Sequence, residues 1–215
     1  MSDNNQVLEF IDNLSDHAHT AIFYENLEYA KAIGYRYINV GLLNGEKCVY
    51  TTHEDDADSI ANEMADFGID VERSKRRNML MVLKIKDPRE QPEGLARGIE
   101  HLRKQLWSEP DSSLRIVTRF IRKVESDEVK EANMFVERTV HAAFDRFPHS
   151  VMCPYPADDI KSMIDGEWMQ NHLRNHHAAF LVFKNGKGLA LDLSHKFTHV
   201  LRPAPENLSA ILSQN

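Results

Sequence analysis

The segments His-Thr-Ala-Ile-Phe-Tyr (19–24) and Gly-Glu-Lys-Cys-Val-Tyr (45–50) flank an amphipathic stretch, and together they predict a strand, a helix and a second strand. The apolar positions between the two runs recur at helical spacing and form one stripe: Leu27, Ala30, Ile33, Tyr37 and Gly41. A crossover of this length joins parallel strands, so these residues predict the first βαβ unit of an open α/β sheet. In the first strand, alternate residues on both faces are largely apolar, which is typical of a central strand covered by helices on both sides.

The same alternation of strands and helices continues along the chain. Further strands are predicted at 79–85, 114–120, 150–153 and 177–184, and helices at about 55–68, 95–106, 127–147 and 157–175. Asn185-Gly186 is a hairpin signal, so 189–193 should return antiparallel at the sheet edge. We therefore predict a three-layer α/β fold with a mostly parallel sheet, flanking helices and an antiparallel C-terminal edge hairpin. We expect one domain over 1–215, with a core at about 16–195 on which a short N-terminal helix (6–14) and the C-terminal tail pack.

One dense basic cluster, Arg73-Ser74-Lys75-Arg76-Arg77, follows the apolar positions Ile69 and Val71. We predict a short extended segment at Ile69 and Val71. The basic cluster itself is typical of a solvated turn, which we favour over a specific anion site.

The composition excludes several classes of function. A net charge of −7 and a pI near 5.9 argue against general binding to nucleic acid or to anionic membranes. The sequence contains no apolar run of the length of a membrane span, and its polar start is unlike a signal peptide, so we expect a cytoplasmic protein. The two cysteines, Cys48 and Cys153, lie in apolar strands and are predicted to be buried free thiols.

The motifs of common nucleotide enzymes are missing. The sequence contains no Gly-x4-Gly-Lys-Ser/Thr loop, which an ATPase needs in order to wrap phosphates and hold magnesium. The predicted fourth strand, Leu-Arg-Ile-Val-Thr-Arg-Phe (114–120), does not end in the acidic residue of a metal-binding strand. Neither Gly-x-Gly-x2-Gly nor Gly-x-Ser-x-Gly occurs. We therefore predict no catalytic residue and no cofactor.

Four histidines have spacings that are compatible with metal binding. His17 and His19 are two apart on a strand, and His172 and His176 are one turn apart on a helix. No glutamate of a metalloprotease motif lies between the helical pair, and no cysteine pair completes a ligand set. The pattern therefore favours a surface or packing role, and we predict no metal site, keeping these four histidines as candidate ligands.

A longer pattern resembles a known family. Its residues are His19, Tyr24, Gly41, Leu42, Gly45, Glu46, Cys48 and Tyr50, followed by Cys153-Pro154-Tyr155 and Asn175-His176. Over about 16–195 this pattern is similar to the MEDS family of sensory domains, named for methanogens, methylotrophs and a dichloromethane-responsive regulator. The resemblance implies a RecA-like, KaiC-related fold and a cytoplasmic sensor of a small, hydrocarbon-like ligand.

Candidate ligand-binding residues lie near the strand ends. In open α/β sheets, ligands bind outside the carboxyl ends of the strands, where this chain places Tyr24, Tyr50, His53 and Tyr155. His19 and His176 join them because both belong to the pattern shared with the family. The alternative is that the tyrosines only cap the core with their hydroxyl groups in water.

These features lead to one predicted function and two alternatives. We predict a non-catalytic sensory domain that binds a small ligand, has a degenerate ATPase fold and signals through a regulatory protein partner or self-association. One alternative is an oligomeric assembly module without a ligand. The other is a metal-dependent enzyme that uses the candidate ligands His17, His19, His172 and His176.

Overall fold

The computed structural model describes residues 3–14, 17–53, 55–90, 92–106, 113–121, 126–144, 149–157, 166–185 and 187–193. The strands are β1 (His19–Tyr24), β2 (Lys47–Thr52), β3 (Leu80–Lys84), β4 (Leu114–Val117), β5 (His149–Pro156), β6 (Ala178–Val182) and β7 (Gly188–Asp192). The helices are α1 (Asp3–Asp12), α2 (Leu27–Leu43), α3 (Ala57–Asp66), α4 (Val71–Arg76), α5 (Leu95–Leu106), α6 (Asp127–Phe144) and α7 (Gly166–Arg174). A 3-10 turn spans Pro88–Glu90.

The strands form a seven-stranded sheet in the order β3-β2-β4-β5-β1-β6-β7. All pairs are parallel except β6 with β7, which are antiparallel, with Val182 opposite Gly188. In the turn between them, the backbone amide of Lys187 donates to Oδ1 of Asn185 at 3.0 Å. The predicted parallel sheet and its antiparallel edge hairpin are confirmed.

Helices cover both faces of the sheet and bury two apolar layers. On one face, α1 to α4 pack on side chains that include Ile22, Tyr50 and Phe180. On the other, α5, α6 and α7 pack on residues that include Phe23 and Ile116. Strand β1 lies between β5 and β6 and is buried on both faces, as its apolar sequence predicted.

The start of β2 is joined to β4 by a buried ion pair. Both oxygens of Glu46 accept hydrogen bonds from Arg115, at 3.0 Å from Nε and 2.7 Å from Nη2. The guanidinium carbon also lies 4.6 Å from the centre of the Tyr37 ring on α2. Burial by itself lowers the pKa of Arg115, but Glu46 and Tyr37 outweigh it and raise the pKa above its ordinary value. Glu46, which belongs to the pattern shared with the family, therefore has a structural role, because it holds Arg115 of β4 in place.

The basic cluster differs from its prediction. Residues from Val71 onward form α4 rather than an extended segment, because the side chain of Asp70 caps the helix by accepting a hydrogen bond from the amide of Arg73 at 3.2 Å. The arginines of the cluster are exposed, as expected for a solvated segment.

The N-terminal helix is present as α1, and it buries Val7 and Ile11. The predicted packing of the C-terminal tail concerns residues 194–215, which lie outside the described residues.

Candidate functional site

A cleft opens at the carboxyl end of the parallel strands, on the face covered by α2 and α3. Its volume is about 770 Å3. Its walls include the aromatic rings of Tyr24 and Tyr50, two prolines of β5 (Pro154 and Pro156) and the apolar residue Val117. Its charged lining residues are Lys31, Asp55, Asp87, Arg89, Glu90 and Arg119. The lining therefore combines aromatic and apolar surface with charged groups of both signs, and such a combination can hold and orient a small molecule.

The turn between β1 and α2 borders this cleft and is very short. Only Glu25 and Asn26 connect the strand to the helix. The side chain of Asn26 caps α2 by accepting a hydrogen bond from the amide of Tyr29 at 2.9 Å, and the amide of Glu25 donates to the carbonyl of Val182 at 2.8 Å. A two-residue turn is too short to form a loop of the kind that wraps phosphates with successive amides.

His53 lies at the far end of β2 and also lines the cleft. Its Nε2 is 2.5 Å from the carbonyl oxygen of Arg119, so this nitrogen carries the proton and donates it. Burial lowers the pKa of His53 below its ordinary value, which keeps the ring neutral near pH 7.

Lys31 on α2 forms one charged wall of the cleft and is held in place by acidic side chains. Its Nζ lies 2.9 and 3.0 Å from the two oxygens of Glu63, and 3.4 Å from Oδ2 of Asp55. The hydroxyl of Tyr35 donates to Oε2 of Glu63 at 2.7 Å. This bond is the largest influence on Glu63 and, with Lys31, it lowers the pKa of the carboxyl against the opposing effect of burial.

Replacing Tyr35 with phenylalanine is therefore expected to raise the pKa of Glu63 toward its ordinary value. A carboxylate whose pKa is lower in the folded state stabilises the fold above its unfolded pKa, and this contribution is lost as pH falls through the folded pKa. The variant should thus lose less stability on acidification than the wild type. Carboxyl carbon NMR titration measures the change, with Asp12 as the internal control. The pKa of Asp12 is also lowered, but by Arg36, and should not move; an unchanged Glu63 pKa would contradict the assignment.

A second group of polar side chains is buried on the opposite face of the sheet, between β1, β5 and α6. We call its four members the buried tetrad: His19, Glu137, Cys153 and His176. Each residue is at most 3% exposed, and their donor atoms all lie within 4.8 Å of one another. The hydroxyl of Tyr155 donates a short hydrogen bond to Oε1 of Glu137, whereas Oε2 of Glu137 faces the two histidines. The ring of His172 stacks on that of His176 at 4.8 Å.

Burial shifts the pKa of every member of the tetrad toward its neutral form. It raises the pKa of Glu137 to about 7, while Tyr155 partly opposes this shift. It raises the pKa of the Cys153 thiol well above its ordinary value, with the charge of Glu137 adding to the effect. Burial lowers the pKa of His176 to about 3, and it lowers that of His19 as well. If a member of the tetrad is ionised, its charge therefore needs a charge of opposite sign close by.

Comparison with models of known protein families shows the family to which this chain belongs. The family model of the MEthanogen/methylotroph, DcmR Sensory domain, MEDS, matches residues 18–177. The chain belongs to the MEDS family. The matched segment includes the cleft residue Tyr24 and all of the buried tetrad. Among curated proteins, none matches this MEDS chain in sequence.

The fold of this MEDS protein is similar to that of a KaiC-like protein from the hyperthermophilic archaeon Pyrococcus horikoshii. The two chains share 12% sequence identity with a TM-score of 0.57, and the similarity covers 84% of this chain and 81% of that chain. At this identity the likeness concerns the fold alone, and it confirms the predicted RecA-like, KaiC-related architecture. Among the residues that the structure describes, no helix is both long and apolar enough to span a bilayer.

The structure of the MEDS chain divides the six predicted ligand-binding residues between two places. Three of them, Tyr24, Tyr50 and His53, line the cleft. The other three, His19, Tyr155 and His176, lie beneath the opposite face of the sheet in or beside the buried tetrad. The division follows from strand geometry, because successive side chains of one strand point to opposite faces.

Of the four histidines considered as metal ligands, two meet in the tetrad and two do not. His17 precedes β1 with a left-handed backbone (φ 74°) and is exposed, so it does not share a site with His19. His172 lies on α7, stacked on Trp168 and His176, but it does not belong to the tetrad. Sequence reasoning missed Glu137, a buried acidic residue of α6 that lies beside the buried apolar residues Val136 and Val140. Its place next to these apolar positions was an available signal.

Proposed function

We propose that this MEDS domain is a cytoplasmic, non-catalytic sensor that binds a small organic molecule in the cleft and transmits its state through a regulatory partner or self-association. The observation that carries the proposal is the cleft itself, which lies at the carboxyl ends of β1, β2, β4 and β5 in a chain whose sequence contains no Gly-x4-Gly-Lys-Ser/Thr motif. The sensory character of the MEDS family supports the same conclusion.

The lining of the cleft indicates the class of ligand. Tyr24 and Tyr50 offer flat apolar surfaces against which a short hydrocarbon body can pack. Charged side chains of both signs also line the wall: Lys31, Arg89 and Arg119 are positive, and Asp55, Asp87 and Glu90 are negative. Because these charges balance, we propose a small ligand with a hydrocarbon part and one polar group. The KaiC-like fold would then serve as a degenerate ATPase scaffold that has exchanged its nucleotide for this ligand.

Thermal unfolding in the presence of a compound panel tests this function. The panel comprises short-chain alcohols, diols, carboxylates and halogenated methanes, together with MgATP. We expect at least one organic compound to raise the melting temperature increasingly with its concentration, because a ligand that binds only the folded state stabilises it by RT ln(1 + [L]/Kd), and we expect MgATP to have no effect. Tyr24→Ala should reduce that increase, because it removes one aromatic wall of the cleft.

Tyr29→Ala is the matched control. Tyr29 is likewise a half-buried tyrosine, but it lies on α2 outside the cleft and packs near Gly188. Its loss should leave the compound response unchanged. If no compound raises the melting temperature, and the molecular mass of the protein in solution rises with its concentration, the assembly alternative replaces the sensor. Hydrolysis of MgATP would overturn the non-catalytic assignment.

A further inference from the structure

We infer that the buried tetrad is a binding site for one divalent transition-metal ion, and that zinc is the ion it fits best. The inference is independent of the cleft, because the tetrad lies under the opposite face of the sheet. The ligand atoms would be Nε2 of His19, Oε2 of Glu137, Sγ of Cys153 and Nε2 of His176.

The spacing of these atoms matches a tetrahedral coordination shell. Nε2 of His19 and Nε2 of His176 each lie 3.4 Å from Oε2 of Glu137. Sγ of Cys153 lies 3.5 Å from Nε2 of His19. Ligands at usual zinc bond lengths occupy tetrahedral corners that are about 3.3–3.6 Å apart. Since no pair of the four atoms is more than 4.8 Å apart, binding needs only small side-chain movements.

Both imidazoles are already oriented as metal ligands. Nδ1 of His19 lies 2.6 Å from the carbonyl oxygen of Asn175, and Nδ1 of His176 lies 2.7 Å from that of His172. A carbonyl only accepts, so each Nδ1 carries the proton and each Nε2 presents its lone pair to the tetrad. Histidines that bind metals are commonly fixed by a hydrogen bond of this kind on the other nitrogen.

The carboxylate is supported from its outer side in the same manner. The hydroxyl of Tyr155 donates to Oε1 of Glu137, which leaves Oε2 directed at the two imidazoles. Within the described part of the chain, neither Oε2 of Glu137 nor Nε2 of His176 makes a hydrogen bond, although both atoms are buried. Two lone pairs from nitrogen and one from oxygen thus converge on the same small volume. Such an arrangement is costly unless a cation or additional protons occupy it.

The charges of the ligands select the ion. Glu137 and Cys153 each contribute one negative charge when deprotonated, and the histidines are neutral, so a divalent cation makes the buried site neutral. Thiolate and imidazole ligands favour zinc over magnesium or calcium. With four protein ligands and no exposed position, the site has the closed form of a structural zinc centre. The ion would tie β1, β5, α6 and the segment after α7 together.

Cobalt substitution tests the site directly, because cobalt reports its ligands in the visible and near-ultraviolet spectrum. Protein is produced in minimal medium containing either zinc or cobalt, so that the ion is incorporated as the chain folds. We expect one equivalent of metal after dialysis by elemental analysis. The cobalt form should show the absorption of tetrahedral cobalt and a thiolate-to-cobalt charge-transfer band.

Two cysteine variants form a matched pair. Cys48 and Cys153 are both buried in central strands, but Cys48 packs on the α2 face beside Gly41. Cys153→Ala should abolish the charge-transfer band, whereas Cys48→Ala should keep it. Glu137→Gln preserves volume and should fold, while weakening zinc binding by roughly 10-fold or more, since even outer-shell changes cost that much.

Three results would overturn the inference. The first is folded wild-type protein that carries no zinc or cobalt and shows no change in melting temperature when either ion is added. The second is a cobalt form without a thiolate band. The third is equal loss of the band in both cysteine variants. Each would make the tetrad a network held together by protons alone.

Discussion

Glu46→Gln is expected to lower the free energy of unfolding by about 3–5 kcal/mol, which is the usual cost of removing one partner from a buried ion pair. Arg115 is 1% exposed and Glu46 is 6% exposed, so water cannot replace the lost carboxylate. The amide of glutamine keeps the size of the side chain but leaves the guanidinium charge uncompensated. Urea unfolding followed by circular dichroism measures the change.

An exposed ion pair of the same geometry provides the control. Arg36 binds both oxygens of Asp12, at 2.7 and 2.6 Å, but the two side chains are 39% and 33% exposed. Asp12→Asn should therefore cost only about 0–1 kcal/mol. The double variant Glu46→Leu with Arg115→Met should recover most of the lost stability, because it leaves no buried charge. Equal losses in Glu46→Gln and Asp12→Asn would show that burial does not set the cost.

Gly41→Ala is expected to destabilise the protein by about 1–3 kcal/mol, although alanine is ordinarily the better helix former. A Cβ at this position would lie 2.7 Å from Cδ of Arg115 and 2.8 Å from Sγ of Cys48. The arginine cannot move away without breaking its two hydrogen bonds to Glu46. The helix therefore has to shift away from the sheet, and urea unfolding measures the cost.

Gly34, two turns earlier on α2, is the matched control. Its nearest neighbour would be the Tyr50 ring, with Cε2 at 3.3 Å, which a small ring movement relieves. Gly34→Ala should consequently be close to neutral, because the gain in helix propensity of roughly 0.5–1 kcal/mol offsets the closer contact. If Gly41→Ala proved as well tolerated as Gly34→Ala, the close approach at Gly41 would not constrain the helix.

The sequence predicted the elements of the sheet because their signals are local. The apolar run at 19–24 became the central strand β1, and the stripe from Leu27 to Gly41 became the buried face of α2. Asn185 marked the antiparallel turn correctly. The short helix α4 was missed because its single apolar position, Val71, gives no periodicity over six residues, whereas the cap at Asp70 is enough to start it.

The candidate sites were only partly predictable. The strand-end rule placed Tyr24, Tyr50 and His53 at the cleft, where the structure has them. The same rule placed Tyr155 beside them, but this residue is 2% exposed and bonded to Glu137 on the other side of the sheet. Alternate residues of β5 point to opposite faces of the sheet, and this alternation places Tyr155 on the face away from the cleft. Sequence reasoning used the position of the residue along the strand and did not consider the face to which it points.

The sequence by itself determined the order of the elements, the helical coverage of β1 and the burial of both cysteines. These properties follow from periodicity and composition within short windows of the chain. Only the tertiary structure decided the strand order, the pairing of Glu46 with Arg115 and the meeting of the buried tetrad. The tetrad joins residues from position 19 to position 176, and side chains so distant in sequence leave no local pattern. Their convergence results from β1 pairing with β5 and from α6 packing across both strands.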